Sequence, residues 1–220
     1  MECRYASDQT LLVSFGTEIR LEVNEQVRRL LRLLEEEPIP GVVNLHPAYC
    51  SVLIRFDPLA LSHRELERVL RARLAEAAHI SLPAPRLVEI PVCYGGEFGP
   101  DLEGVAQMHG LSIEEVVSIH SGAKYHVYCL GFVPGFGYLG GLPDEIATPR
   151  VDSPRKVVTP GSVGIGGNQS GVYPFPTPGG WRLIGRTPLT MFDESRTPMS
   201  LLSLGDEVRF RAITMDEFQA

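Results

Sequence analysis

The chain has 220 residues, of which 44% are hydrophobic and 21% charged, and its formal net charge is −7. This length is enough to bury one large core or two smaller ones. An acidic chain lacks the basic face that nucleic-acid binding needs, so that class of function is excluded. No apolar run approaches the roughly 20 residues that span a bilayer, and the start MECRYASDQT lacks a signal-peptide pattern. We therefore expect a cytoplasmic protein with no membrane contact.

The cysteines and nucleotide motifs exclude further classes. The four cysteines are far apart and form no C-x-x-C pair; they are Cys3, Cys50, Cys93 and Cys129. This spacing predicts free thiols, with neither a disulfide framework nor a metal site. The chain contains no G-x-x-x-x-G-K-[ST] stretch, so it holds no ATP by a P-loop.

Residues 1–85 are predicted to form an α+β domain. Strands are expected at 10–15, 41–46, 51–56 and 86–92, from alternating apolar residues and turn signals. A first helix is expected to be capped by Asn24, and a second begins at Ser62 with a capping box to Glu65. Together these elements follow the β-α-β-β-α-β order of a ferredoxin-like fold.

Residues 86–220 have a different character. The first 90 residues contain two glycines, whereas residues 131–190 contain thirteen, together with nine prolines. Two short helices are expected at 101–109 and 112–120, and a strand at 124–130. The Gly- and Pro-punctuated apolar segments that follow predict a mainly β domain with a closed or nearly closed barrel.

The stretch GFVPGFGYLGGLP, residues 131–143, contains a literal G-x-G-x-x-G at 135–140. A dinucleotide fingerprint needs a long helix that begins at this loop, so that the helix N-terminus meets the pyrophosphate. Here Gly141, Leu142 and Pro143 follow instead, and no amphipathic segment appears. The motif is therefore interpreted as a glycine-rich loop without a dinucleotide.

This loop and GSVGIGGNQSGVYPFPTPGGW, residues 161–181, both place aromatic side chains between glycines and prolines. Two such loops on one barrel favour a groove with apolar walls and a few polar anchors. Its predicted members are Phe132, Phe136, Tyr138, Gln169, Tyr173 and Trp181. An arginine fork from Arg150, Arg155 or Arg186 would suit a carboxylate, although each could equally be a solvated arginine at the barrel rim.

Two residues are weaker catalytic candidates. Ser162, which is also a candidate groove residue, lies in PGSVG; this stretch resembles the nucleophile elbow G-x-S-x-G except that Pro160 replaces the first glycine. His120 follows apolar residues at helical spacing and so lies on the buried side of its helix. It is either a hydrogen-bonded core histidine or a general base at the end of the helix.

The two glycine-rich stretches, with TPRVDSPRKVV and TPGGWRLIGRTPLTMFD, closely resemble the KipI / allophanate hydrolase subunit 1 family. The resemblance covers essentially the whole chain. It implies a ferredoxin-like N-terminal domain and a cyclophilin-like β-barrel. The groove residues that it implies by position are His120, Tyr125, Phe136, Tyr138, Arg150, Arg155, Gln169, Tyr173, Trp181 and Arg186.

The resemblance also implies an activity. It indicates the B component of an ATP-dependent 5-oxoprolinase, which opens 5-oxo-L-proline to L-glutamate with ATP hydrolysis. The implied partners are a sister C component and a separate A component, with ATP as co-substrate of the complex and no cofactor in this chain. The alternatives are an inhibitor that binds a sporulation histidine kinase, a member of a urea carboxylase or allophanate hydrolase system, and a structural subunit whose partner holds the chemistry.

Overall fold

The computed structural model describes residues 1–219. The chain forms two compact units, Met1–Ala84 and a second that begins at Pro85. Within the described residues, no helix is both long enough and apolar enough to cross a bilayer.

The N-terminal unit is a four-stranded antiparallel sheet with two helices. Its elements are β1 (Glu2–Ser7), β2 (Thr10–Ser14), α1 (Leu21–Glu36), β3 (Val42–Pro47), β4 (Ser51–Phe56) and α2 (His63–His79). The strands lie in the order β1-β2-β4-β3. Alternate residues such as Leu11, Val13 and Ile54 are fully buried, as the strand period of two requires. The predicted capping box at the start of α2 is confirmed, because Ser62 and Glu65 exchange both hydrogen bonds.

Two expectations for this unit are wrong. The strand predicted at 86–92 exists, but it pairs within the barrel and does not complete the N-terminal sheet. The strand β1 takes the free edge beside β2 instead. Asn24 is not a cap either, because α1 begins at Leu21 and the buried amide of Asn24 donates to the Tyr49 carbonyl at 3.0 Å.

The second unit is built on a closed seven-stranded barrel. The described strands of this unit, in the barrel and outside it, are β5 (Leu87–Tyr94), β6 (Tyr125–Leu130), β7 (Gly137–Gly140), β8 (Arg155–Val158), β9 (Ser162–Gly166), β10 (Gln169–Val172), β11 (Thr177–Gly179), β12 (Arg182–Arg186) and β13 (Glu207–Ala212). The helices are α3 (Leu102–His109), α4 (Ile113–Gly122) and α5 (Met215–Gln219), with a 3₁₀ turn at Asp144–Ile146. The barrel order is β10-β7-β6-β13-β5-β12-β9, and β8 and β11 form a separate two-stranded ribbon.

The barrel mixes pairing types, since β5 and β13 are parallel and the other pairs are antiparallel. Along β9, Val163 and Ile165 belong to the main core, and the intervening positions face outward by the strand alternation. The literal G-x-G-x-x-G ends in the short strand β7 and not in a helix. This geometry confirms a glycine-rich loop in place of a dinucleotide fingerprint.

Candidate functional site

Six of the predicted groove residues line one cavity of about 220 Å³ beside the barrel. They are Phe132, Phe136, Tyr138, Arg150, Tyr173 and Trp181, and they are joined by Pro154, Pro178, Gly179 and Gly180. The residues come from the β6–β7 loop, β7, the segment before β8, and the region around β11. We call this cavity the aromatic groove.

Phe136 is the centre of the aromatic cluster. Its ring centroid lies 5.0 Å from that of Tyr138, 5.4 Å from Tyr173 and 5.5 Å from Trp181. The interplanar angles of 67°, 70° and 79° are edge-to-face. This arrangement is the preferred one for aromatic rings, and it makes the groove wall rigid.

Glycines on the outer side of β9 and β10 let Trp181 lie against the barrel. A Cβ at Gly166 would overlap the indole, and one at Gly171 would approach the Phe136 ring at 2.9 Å and the Trp181 ring at 3.0 Å. Real Cβ atoms do not come so close to other heavy atoms, so these positions require glycine. The glycines of GSVGIGG and SGV thus leave a surface without side chains on β9 and β10, against which the aromatic rings pack.

The rim of the groove contains a strained residue. Phe132 has a φ of 67°, in the left-handed region that a bulky side chain rarely adopts. Its side chain is 57% exposed, although its ring contacts Phe136 edge-on at 5.6 Å. Strain of this kind persists where the surrounding structure imposes it and is frequent at ligand sites.

Arg150 supplies the positive charge of the groove. It is exposed, and among the described residues its guanidinium makes no ion pair. Burial raises the pKa of Tyr138 and of Tyr173, and the charge of Arg150 acts in the opposite direction on both phenols. Arg150 therefore lies close enough to these two groove residues for its field to reach them, with its fork still available to an anion.

Three other predicted residues line a different cavity. Arg155, Ser162 and Arg186 belong to a depression of about 290 Å³, with Glu97, Phe98 and Thr159. We call it the polar depression. Its members do not line the aromatic groove.

Arg155 is not available as an anion anchor in this cavity. Its guanidinium donates to both oxygens of Asp101 at 2.7 and 2.8 Å, and Asp101 also accepts from the Leu183 amide at 2.6 Å. Both hydrogen bonds come from Nη2 of Arg155, and this charge-assisted ion pair joins β8 to the residue that precedes α3. Sequence alone could not find it, because the partners are 54 positions apart.

The expected positions of His120 and Tyr125 in the groove are wrong. Both side chains are fully buried, with 0% exposure, and both belong to the barrel interior. The Tyr125 hydroxyl donates to the His120 carbonyl at 2.9 Å. Tyr125 therefore supports the end of α4 and does not contact the groove.

Both imidazole nitrogens of His120 are occupied. The Ser170 hydroxyl donates to the Gly164 carbonyl, so it accepts from His120 Nε2 at 2.9 Å. Nδ1 then accepts from the Tyr94 hydroxyl at 2.8 Å. Burial lowers the pKa of His120 to about 3, so the ring is neutral at physiological pH. A neutral, fully enclosed imidazole with two partners is a core hydrogen-bond bridge, which leaves it no free nitrogen for the general-base role.

Gln169 lines neither cavity. It lies at the β9–β10 turn, where its backbone pairs with Gly166. Within the described part of the chain, no group of three or more His, Cys, Asp or Glu side chains is arranged to hold a metal ion.

The groove residues that the sequence missed are small or cyclic, namely Pro154, Pro178, Gly179 and Gly180. Three of them lie together in the TPGGW stretch, directly before the predicted groove residue Trp181. Glycine is required at position 179, because a Cβ there would approach the Tyr173 hydroxyl at 2.6 Å. A closed barrel with an aromatic groove edged by one arginine has the apolar walls and the polar anchor that are typical of small-molecule pockets.

The chain belongs to the family described as "Carboxyltransferase domain, subdomain C and D", which matches residues 1–202. It is 46% identical to the B component of 5-oxoprolinase from Bacillus subtilis, over 97% of this chain and 93% of that protein. It is 43% identical to the B component of 5-oxoprolinase from Escherichia coli O157:H7, over 94% of each. The predicted likeness to this component of 5-oxoprolinase is confirmed.

The crystal structure of TTHA0988 has the same fold, with a TM-score of 0.82 and 36% identity. It covers 94% of this chain, whereas this chain spans only 40% of TTHA0988. The fold therefore occurs both as a separate chain and as part of a longer one.

Proposed function

We propose that the chain is the B component of an ATP-dependent 5-oxoprolinase that converts 5-oxo-L-proline to L-glutamate. The observation that carries this proposal is 46% identity to such a component over nearly the full length of both proteins. The aromatic groove supplies a site of suitable chemistry, since it combines apolar walls with one arginine that has no ion-pair partner among the described residues.

The groove suits a small cyclic amide that carries a carboxylate. The apolar ring packs against Phe136, Tyr173 and Trp181, and the carboxylate accepts a two-pronged hydrogen bond from Arg150. The structure favours Arg150 over Arg155 and Arg186 for this role, because Arg155 is bound to Asp101 and Arg186 lines the other cavity.

Ring opening requires activation of the amide. Transfer of the γ-phosphoryl group of ATP to the ring amide oxygen yields ADP and a phosphorylated imidate, whose carbon is a better electrophile for water. Attack by one water molecule on this carbon and cleavage of the C–N bond give γ-glutamyl phosphate, with the ring nitrogen leaving as the amino group. A second water molecule then hydrolyses the acyl phosphate to glutamate and phosphate. In this scheme the chain holds and orients the substrate. His120 keeps the barrel wall behind the groove in place and moves no proton.

ATP is the co-substrate of the whole complex, and we propose a sister C component and a separate A component as partners. We also propose that each unit is a variant of a known fold, with the domain boundary near residue 85. The barrel would be cyclophilin-like. The N-terminal sheet order β1-β2-β4-β3 matches a ferredoxin-like sheet whose last strand has moved to the start of the chain.

The proposal is tested with the complex reconstituted from all its components, by measuring glutamate released from 5-oxoproline with and without ATP. We expect Arg150→Gln to raise KM about 10- to 100-fold, because a charge-assisted hydrogen bond to the substrate is lost. Arg209→Gln is the matched control, since Arg209 is an exposed arginine that lines neither cavity. A complete complex that releases no glutamate would contradict the proposed function.

A further inference from the structure

The polar depression is lined by Ser162, whose hydroxyl has no hydrogen-bond partner among the described residues. Ser162 is 3% exposed and lines this cavity of about 290 Å³. Its amide donates to the Thr159 carbonyl and its carbonyl accepts from the Tyr173 amide, but its hydroxyl makes no hydrogen bond within the described residues. Because Ser162 lines the cavity and its hydroxyl has no partner in the protein, a ligand in the cavity can supply the missing hydrogen bond.

Arg186 is directly opposite Ser162 on the neighbouring strand. The two residues are register partners of β12 and β9, and directly opposite side chains lie on the same face, with Cβ atoms about 4.5–5.5 Å apart. A guanidinium and a hydroxyl thus face the same cavity at a separation that one small ligand can bridge.

Arg186 is held in place without an ion pair. Its Nε donates to the Pro160 carbonyl at 3.0 Å. Its guanidinium carbon lies 5.7 Å from the ring centroid of Phe98 and 5.9 Å from that of Phe218. The terminal nitrogens find no carboxylate within 4 Å among the described residues, so the fork is oriented while its charge remains unpaired.

The other charged groups of the cavity affect how strongly it attracts an anion. Asp101 neutralises Arg155 through two hydrogen bonds, so this pair contributes little net charge. Glu97 is exposed at the rim and opposes an anion by like-charge repulsion. Thr159 adds a second hydroxyl to the lining.

We propose that the polar depression is a second ligand site, which binds the oxyanion of a small organic molecule, a carboxylate or a phosphate ester, through Arg186 and Ser162. It is distinct from the aromatic groove and does not depend on the function proposed for that groove. A planar guanidinium and a hydroxyl are a recurrent pair of donors for such oxygens.

The test is a calorimetric titration of the full chain with L-glutamate and, separately, with adenosine monophosphate, in the Arg150→Gln background. This background removes the anchor of the aromatic groove, and the two probes distinguish a carboxylate from a phosphate ester. We expect saturable binding of one probe. Arg186→Gln should weaken it more than about tenfold, since a charge-assisted hydrogen bond is lost.

The variant Ser162→Ala distinguishes an effect on ligand binding from an effect on the stability of the fold. We expect it to weaken binding about 3- to 10-fold and to leave the melting temperature unchanged or higher, because the deleted hydroxyl has no partner in the free protein. Glu97→Gln should strengthen binding by removing the repulsion. The proposal is overturned if neither probe binds, or if binding is the same after Arg186→Gln and after Ser162→Ala.

Discussion

The hairpin of β9 and β10 presents different chemistry to the barrel interior and to the aromatic groove. On the inside, Ser170 accepts from His120 and donates to the Gly164 carbonyl. On the outside, the neighbouring Gly171 has no side chain and lies beneath Phe136 and Trp181. Adjacent residues of β10 therefore have separate roles. Ser170 takes part in buried hydrogen bonds that hold the barrel wall, and Gly171 leaves space on the outer surface for the rings of Phe136 and Trp181.

This contrast shows that the chemical type of a side chain does not by itself identify a functional residue. His120 has the chemistry of a catalyst, yet its place in the interior makes it a structural bridge. The groove depends instead on glycines, whose contribution is the absence of a side chain. Three substitutions or conditions test this contrast.

The largest expected effect is on the interior. His120→Ala leaves the Tyr94 and Ser170 hydroxyls without their partner and opens a cavity, so we expect the free energy of unfolding to fall by about 3–5 kcal/mol. Urea denaturation of the full chain measures it. Arg150→Gln, on the exposed rim of the groove, should change stability by less than about 0.5 kcal/mol. A loss below about 1 kcal/mol for His120→Ala would show that the hydrogen-bond chain contributes little.

The second effect is on the outer surface. Gly171→Ala places a methyl group within 3.0 Å of the Phe136 and Trp181 rings, so the rings must move. We expect a loss of about 1–3 kcal/mol and a shift of the tryptophan emission. Trp181 is the single tryptophan of the sequence, so the signal reports the groove alone.

Gly104→Ala is the matched control for that substitution. Gly104 lies in α3, and a Cβ there meets nothing within 4 Å. Because alanine favours a helix over glycine by about 1 kcal/mol, this variant should be as stable as the parent or more so, with unchanged emission. Equal losses at Gly104 and Gly171 would argue against the packing explanation.

The third effect, which is the smallest when it is taken per pH unit, is a pH dependence that originates in the interior. The pKa of His120 is lowered to about 3 in the folded protein, below its ordinary value of 6.5, so the unfolded chain binds more protons between these limits. The free energy of unfolding should therefore decrease as pH falls from 6.5 toward 3, and His120 should contribute about 1 kcal/mol per pH unit to this decrease. Above pH 6.5, His120 should contribute no pH dependence.

The check is the difference between the parent and His120→Gln, measured by denaturation at several pH values. Glutamine can accept from Tyr94 and donate to Ser170 but has no titrating ring, so this part of the slope should disappear. Identical slopes for both proteins would mean that His120 binds a proton as readily in the folded protein as in the unfolded chain. The difference removes the contribution of the carboxylates, which titrate in both proteins.

Local elements were predictable because their signals are short. The helix expected at 112–120 is confirmed as α4, and its start depends on a local capping box in which Ser112 and Glu115, three positions apart, exchange two hydrogen bonds. The strands β2, β3 and β4 followed from alternation and turn residues for the same reason. Asn24 shows the limit: it has the chemistry of a cap, but a carbonyl 25 positions away binds its amide.

The sequence by itself determined the strands β2, β3, β4 and β6, the starts of α2 and α4, the aromatic composition of the groove and the family, because these depend on spacing and on residue type. Only the tertiary structure decided that residues 87–94 belong to the barrel, that His120 and Tyr125 lie inside it, and that Arg155 and Arg186 lie apart from Arg150. Barrel closure decides which face of each strand turns inward and which distant residues meet. Whether a residue lies in the core, in the aromatic groove or in the polar depression therefore depends on long-range strand pairing, which no local sequence pattern encodes.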